Sequence, residues 1–231
     1  MGLNVVMLGP PGAGKGTQAE RFARRRRLPK ISTGDILRQG IKDELRLALT
    51  AKAKMDRGEL IDDETMVTIV RERLARPDTD AGFVLDGFPR TAAQARLLDA
   101  LIEERGNGPL VVVDIVVPEV DLVRRLAGRR ICSTCGTNAE PEDGSGTLCR
   151  RCGGTLVHRV DDSDQVVRER LKVYTRATKP LVDYYRGRPT FRTVNGAQPP
   201  DRVAQELDAT VDDAAAQGTR ASLEEQRPAG R

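Results

Sequence analysis

The chain has 231 residues, enough for one α/β core with an insertion or two, and its lack of Trp and 3% aromatic content leave the core to Leu, Val, Ile and Ala. No stretch approaches the roughly 20 apolar residues that cross a bilayer, and the N-terminus leaves no room for a signal peptide, so a cytoplasmic protein with no membrane partner is expected. The net charge of +4 rests on 31 Arg against 7 Lys, a balance that suits bidentate phosphate recognition in a pocket as well as nucleic acid.

Leu3–Leu8 is an apolar run that reads as a buried strand, and Gln18–Ala23 reads as a helix. Between them lies Gly9-Pro10-Pro11-Gly12-Ala13-Gly14-Lys15-Gly16-Thr17. A strand, a glycine-rich turn and a helix bring backbone N–H groups and a helix N-terminus to one point, which favours phosphate. The glycines let the backbone curl and approach an anion without a Cβ in the way. Lys15 adds a full charge that can reach the terminal phosphates of a nucleotide. The position after the lysine, where a general P-loop carries its Mg²⁺-binding hydroxyl, is Gly16, and the hydroxyl follows at Thr17. Arg24–Arg27 closes the first helix, where cations complement the helix dipole.

Ile31–Asp35 reads as a turn rich in N-cap residues, followed by helices at about 34–40 and 43–56 with a stop at Gly58. Asp62-Asp63-Glu64 opens a helix that ends before Pro77, and Gly82–Asp86 is a short apolar strand with an acid at its carboxyl end. A helix from about Thr91 to Glu104 leads to Leu110–Val117, an apolar strand of the parallel, two-sided kind, and then to a helix over Glu119–Gly128. After a Cys/Gly/Pro-rich segment at 130–157 come a long amphipathic helix over 164–186, a strand at Thr190–Val194 and a helix at Pro200–Ala216. Alternating strands and helices predict an α/β fold, a doubly wound parallel sheet whose ligands bind at the carboxyl ends of the strands. Residues 217–231, polar with Gly and Pro, are expected to be a disordered tail.

Cys132-x-x-Cys135 and Cys149-x-x-Cys152 hold every cysteine, with 13 residues between the pairs. Two such knuckles can supply tetrahedral Cys₄ ligation with no open position, which makes the metal structural. Zinc is expected, although four thiolates also suit iron. Disulfides are disfavoured in a cytosolic chain. The few hydrophobic residues between the knuckles could not hold a fold unaided, so metal binding would order the segment. His158, the only histidine, reads as an exposed neighbour of the second knuckle.

The phosphate loop, Ile31–Asp35, Leu85-Asp86-Gly87-Phe88-Pro89-Arg90, Gly128-Arg129-Arg130 and Arg159-Val160-Asp161-Asp162 together resemble the adenylate kinases, nucleoside monophosphate kinases among the P-loop proteins, in their long form with a metal-stapled lid. The resemblance runs from Leu3 to about residue 210. It implies reversible transfer from MgATP to AMP giving two ADP, with Mg²⁺ carried by ATP and a structural Zn²⁺ in the lid. Residues 1–31, 62–127 and 162–216 would form the P-loop core, 32–61 the helical AMP-binding domain and 128–161 the lid. The catalytic residues implied are Lys15, Asp86, Arg90, Arg129, Arg159 and Arg170. Those implied for ATP are Gly12, Ala13, Gly14, Lys15, Gly16, Thr17, Arg125, Arg129, Thr137, Asn138 and Gln198. Those implied for AMP are Thr33, Arg38, Glu59, Leu60, Ile61, Gly87, Phe88, Pro89, Arg90, Gln94, Arg159 and Arg170. A monomer with nucleotide partners only, and no nucleic acid, is implied.

Some of these residues also have local roles open to them. Thr91-x-x-Gln94 is a capping box, which needs no ligand. Asp161 and Asp162 suit the start of the 164–186 helix. Asn138 stands where the family commonly has an aromatic residue, and the stretch between the knuckles is shorter than is common. A UMP/CMP kinase on the same scaffold would lack the long lid and the Thr33/Gln94 pair. A zinc-ribbon nucleic-acid binder would leave Asp86–Arg90 without a role and would need stacking aromatics that the knuckles lack.

Overall fold

The computed structural model describes residues 2–139, 146–159 and 162–225. Its strands are β1 (Leu3–Leu8), β2 (Lys30–Ser32), β3 (Gly82–Asp86), β4 (Leu110–Val116), β5 (Arg130–Cys132), β6 (Leu156–His158) and β7 (Phe191–Asn195). Five of them form one parallel sheet in the order β2-β3-β1-β4-β7, while β5 and β6 pair antiparallel in the Cys-bearing segment. The helices are α1 (Lys15–Arg26), α2 (Thr33–Lys42), α3 (Arg46–Asp56), α4 (Asp63–Leu74), α5 (Ala92–Arg105), α6 (Glu119–Ala127), α7 (Asp164–Val173), α8 (Pro180–Arg186) and α9 (Pro200–Glu225).

Because side chains alternate across a strand, the central strand β1 feeds two cores. Val6 and Leu8 pack with Val70 of α4, Leu98 and Ile102 of α5 and Leu181 of α8. Val5 and Met7 pack with Phe22 of α1 and Leu207 and Val211 of α9. Helices thus cover both faces, as the two-sided apolar strands demand. Parallel registry sets Met7 beside Asp86 and Leu8 beside Asp114, so the carboxyl ends of β1, β3 and β4 open on one edge. Ser32, Asp62 and Thr91 cap α2, α4 and α5, each accepting a backbone N–H from the first turn.

Three sequence expectations need correction. Lys30–Ser32, inside or beside the predicted turn, is an edge strand paired with Val84–Asp86; three residues with one buried aliphatic give too short a pattern to read as a strand. The predicted helix over 164–186 is interrupted by a π-helical turn at Tyr174–Thr178, where the Lys179 N–H donates to the Tyr174 carbonyl at 2.8 Å. Pro180 has no N–H to offer the preceding turn, and its ring crowds the i−4 carbonyl, so the helical ladder shifts there. Finally, the predicted disordered tail is helical from 217 to 225, as α9 runs to Glu225. Gly218 is buried in that stretch, and a Cβ on it would stand 2.5 Å from Thr190 Cγ2 and 2.9 Å from Pro109 Cβ. Close backbone packing, invisible in a polar composition, holds this turn. Residues 226–231 lie outside the described residues.

Candidate active site

The turn between β1 and α1 is built as its glycines require. Gly12 and Gly14 hold φ of 86° and 90°, the left-handed region that an L side chain rarely adopts. A Cβ on Gly12 would also meet the Leu122 carbonyl at 2.9 Å. The Lys15 ammonium is drawn back over this turn, donating to the carbonyls of Gly9 at 2.7 Å and Pro10 at 2.9 Å. The residue as a whole is half-buried, but its charged end sits deep in the turn, and burial pushes its pKa down to about 8. Asp86 partly offsets that shift, whereas Arg90, Arg170 and Arg129 add to it. Five charged groups from the loop, β3 and its following turn, the end of α6 and α7 therefore act on one place. Gly16 and Thr17 are half-buried in the first turn of α1, and Ala13 is buried. A Cβ on Gly16 would lie 3.3 Å from Asp86 Oδ2 and 3.4 Å from Asn138 Nδ2, so both side chains hang over the loop.

A second cluster lies beside the carboxyl end of β3. The Thr33 hydroxyl donates to the Gly87 carbonyl at 3.0 Å, and Arg90 Nε donates to the same oxygen at 2.7 Å. Phe88 is buried in the core, which anchors the Phe88-Pro89 turn that carries Arg90. Gln94 is 1% exposed and its amide is used at both ends. Its Oε1 accepts the Arg90 N–H at 2.7 Å, and its Nε2 donates to Asp63 Oδ1 at 2.7 Å. Only half of a capping box is present: Thr91 Oγ1 accepts the Gln94 N–H at 3.2 Å, but the Gln94 side chain passes over Thr91 to the preceding residue. Arg38 folds over Gly34 and pairs with Asp35 of its own helix. Glu59 is exposed and paired with Arg57, Leu60 is half-buried, and Ile61 is buried in the core.

Arg129 and Arg170 meet on one carboxylate. Asp162, its side chain 3% exposed, accepts from Arg129 Nε at 2.7 Å and Nη2 at 2.5 Å and from Arg170 Nη1 at 2.9 Å. The N-cap position of α7 belongs to Ser163, so Asp162 orients arginines instead of capping the helix. Val160 and Asp161 lie outside the described residues. Arg159 is half-buried, and its carbonyl accepts the Asp162 N–H at 3.2 Å. Arg125 is half-buried on the last turn of α6, one helical turn before Arg129. Gln198 lies in the turn from β7 to α9, donating to the Asn195 carbonyl at 3.2 Å and to Glu206. Neighbouring Gly196 closes that turn against the loop, since a Cβ there would stand 3.3 Å from the Ala13 carbonyl.

The four thiols form a single cluster. All four Sγ atoms lie within 4.8 Å of one another, with Cys132 and Cys152 at 3.4 Å and Cys135 and Cys149 at 3.8 Å. Four sulfurs placed about 2.3 Å from a central zinc would be about 3.8 Å apart, so the cluster fits a tetrahedral ion. Gly154 makes the close approach possible, as a Cβ on it would be 2.9 Å from Cys132 Sγ. His158 is exposed and outside the cluster. Thr137 turns into the knuckle, accepting from Cys135 Sγ at 3.4 Å and Arg151 Nη1 at 3.1 Å, while Asn138 faces the phosphate loop.

Sequence reasoning missed two acids, Asp63 and Asp114. Asp63 reads as an ordinary acid in a helix's first turn, and only the packing of α4 against α5 gives it Gln94 and Thr91. Asp114 is hidden in an apolar strand; burial pushes its carboxyl pKa up, and its Oδ1 has no hydrogen-bond partner among the described residues. An acid interrupting a buried parallel strand was the available signal.

A sequence-family profile described as adenylate kinase matches residues 7–189. The chain is 44% identical over 215 residues to an adenylate kinase of Archaeoglobus fulgidus, covering 91% of this chain and 98% of that protein. An adenylate kinase of Lysinibacillus sphaericus is 42% identical over 215 residues, covering 90% and 98% respectively. One of Acidothermus cellulolyticus is 44% identical over 205 residues, covering 87% and 94%. The phosphate loop, the ring of arginines around it and likeness over almost the whole chain lead to one conclusion: this chain belongs to the adenylate kinase family.

Proposed function

We propose that the chain transfers the γ-phosphoryl group of MgATP reversibly to AMP, giving two ADP, with the site residues dividing the work by position. The convergence of Asp86, Arg90, Arg129 and Arg170 on Lys15 carries this reading. Phosphoryl transfer needs in-line placement, neutralisation of charge on the migrating group and exclusion of water rather than covalent chemistry. The loop amides over Gly12–Thr17 and Lys15 would hold the donor phosphates, with Arg125, Arg129, Thr137, Asn138 and Gln198 bordering that side. Arg38 and Arg90 would grip the AMP phosphate with planar forks, which an ammonium cannot imitate. Thr33 and Gln94 would meet the adenine of AMP, with Glu59, Leu60 and Ile61 forming the wall of that pocket and Gly87–Pro89 its floor. Arg159 and Arg170 would reach the group in flight. Magnesium, brought in on ATP, would supply charge neutralisation at the phosphates, and Asp86, whose carboxylate lies close over Gly16, would orient its water shell.

Residues 32–61 would act as the AMP-binding domain and 128–161 as a lid stapled by zinc on Cys132, Cys135, Cys149 and Cys152. The protein would work in the cytoplasm, where thiolates stay reduced, as a monomer without nucleic-acid or membrane partners. Two arginines of the run that closes α1 are engaged within the fold: Arg25 pairs with Asp208 and Arg26 with Asp212 of α9. Among the described residues no helix is long and apolar enough to cross a membrane. A panel of AMP, GMP, CMP and UMP with MgATP, read by coupled ADP detection, tests the reading. AMP should be preferred by at least about a hundredfold in kcat/KM; equal or better use of a pyrimidine monophosphate would overturn it.

A further inference from the structure

Gln94 carries the base-reading role proposed above, and an amide reads a base only if its two ends are fixed. The carboxamide could in principle turn over, exchanging donor and acceptor at little cost in shape. Two partners on opposite sides prevent this. The Arg90 N–H, a donor only, faces Oε1 at 2.7 Å, and the Asp63 carboxylate, an acceptor when ionised, faces Nε2 at 2.7 Å. Asp63 is itself held, with both of its oxygens 3.1 Å from the Thr91 hydroxyl, on the first turn of α4. The assignment of Gln94 oxygen and nitrogen therefore follows from the chemistry of the partners. One amide hydrogen and one carbonyl lone pair remain for a ligand.

We propose that Asp63 is a specificity-determining positioning residue for the acceptor nucleotide: it fixes the Gln94 amide in the orientation that accepts a 6-aminopurine and rejects a 6-oxopurine. Adenine offers an exocyclic amino donor beside a ring acceptor, N1, whereas a 6-oxopurine offers the reverse, a carbonyl beside N1–H. An amide locked one way complements the first and leaves like groups facing each other in the second. Asp63 does not touch the base; it acts through Gln94, and the proposal rests on the reading that Gln94 meets the adenine of AMP.

The test compares AMP with IMP as acceptors, with MgATP as donor, in wild type, Asp63→Ala, Asp63→Asn and Gln94→Ala. Loss of one charge-assisted hydrogen bond should raise the KM for AMP about tenfold in Asp63→Ala, with the KM for ATP unchanged. The preference for AMP over IMP in kcat/KM should fall by a similar factor of about ten. Asp63→Asn keeps an oxygen for Gln94 Nε2, so its AMP-to-IMP preference should lie between those of wild type and Asp63→Ala, a ratio that helix destabilisation alone would leave unmoved. If Gln94→Ala loses AMP selectivity while Asp63→Ala keeps it, the positioning role is refuted and the Gln94 reading stands. Unchanged selectivity in Gln94→Ala refutes both. Should Asp63→Ala fail to fold, the AMP-to-IMP preference of Asp63→Asn decides alone, and a value equal to wild type overturns the proposal.

Discussion

Lys15 shows how a single side chain ties the phosphate loop to the chemistry. Its ammonium rests on two loop carbonyls, and burial pushes its pKa down to about 8 from the ordinary 10.5. A depressed lysine binds fewer protons folded than unfolded between those values. Its contribution to stability is therefore full above pH 10.5 and is lost as the pH falls through about 8. A bound polyphosphate favours the ammonium and must raise that pKa. Binding of a non-hydrolysable ATP analogue at pH 9 should accordingly take up a proton, measurable by calorimetry in buffers of differing ionisation enthalpy, and the uptake should vanish near pH 6. In Lys15→Met the uptake at pH 9 should disappear, turnover should fall at least a hundredfold, and the ligand-free protein should melt higher at pH 7. Uptake that persists in the variant would place the titrating group elsewhere.

At the scale of elements, the segment from β5 to β6 has the least core of its own. Among its described residues the buried cluster is Cys132, Cys149 and Leu156, with Ala139 packed against it. So small a described cluster offsets little of the entropy of ordering such a stretch, and a metal held by the four thiols would supply the difference. Cys132→Ser should lose the bound metal, detectable by elemental analysis. Its melting temperature should fall by about 5 °C if roughly 2 kcal/mol of the ordering energy is felt globally. Partial turnover should survive, because the four thiols face one another; complete inactivity in a folded variant would contradict a purely structural metal. Where elements meet, long-range contacts join them to the Cys-bearing segment. Lys42 at the end of α2 donates to the Ser133 carbonyl of the first knuckle at 3.1 Å. Arg151 of the second knuckle lies 3.5 Å from Glu20 on α1.

Across the whole molecule, α9 binds the two ends of the chain together. A line of ion pairs joins it to α1 through Arg21 and Asp201, Arg25 and Asp208, and Arg26 and Asp212. Such exposed pairs contribute little individually, so the apolar seam of Val203, Leu207, Val211 and Ala214 carries the attachment. Gly218 extends that seam beyond the predicted end of the helix. Gly218→Val would push its β-carbon into Thr190 and Pro109, and overpacking of this kind costs about 1–3 kcal/mol. Melting temperature should therefore fall by roughly 3–10 °C while kcat stays unchanged, since the residue is remote from the phosphate loop. An unchanged melting temperature would mean that the segment past 216 adds nothing to stability.

Whatever depends on near neighbours was legible in the order of residues. The apolar run of β1, the glycine positions that demand positive φ, the caps at Ser32, Asp62 and Thr91, and the spacing of the cysteine pairs are short-range constraints, and each stands in the structure. Tertiary structure decided what depends on distant partners. The strand at Lys30–Ser32 exists because β3 offers it an edge, and α9 continues because Pro109 and Thr190 receive Gly218. Asp63 finds Gln94 31 residues away, and Asp162 finds Arg129 at a separation of 33. Nothing local distinguishes those two carboxylates from other acids at helix starts. Their roles arise only when packed helices bring a matching donor within hydrogen-bond reach and keep water out.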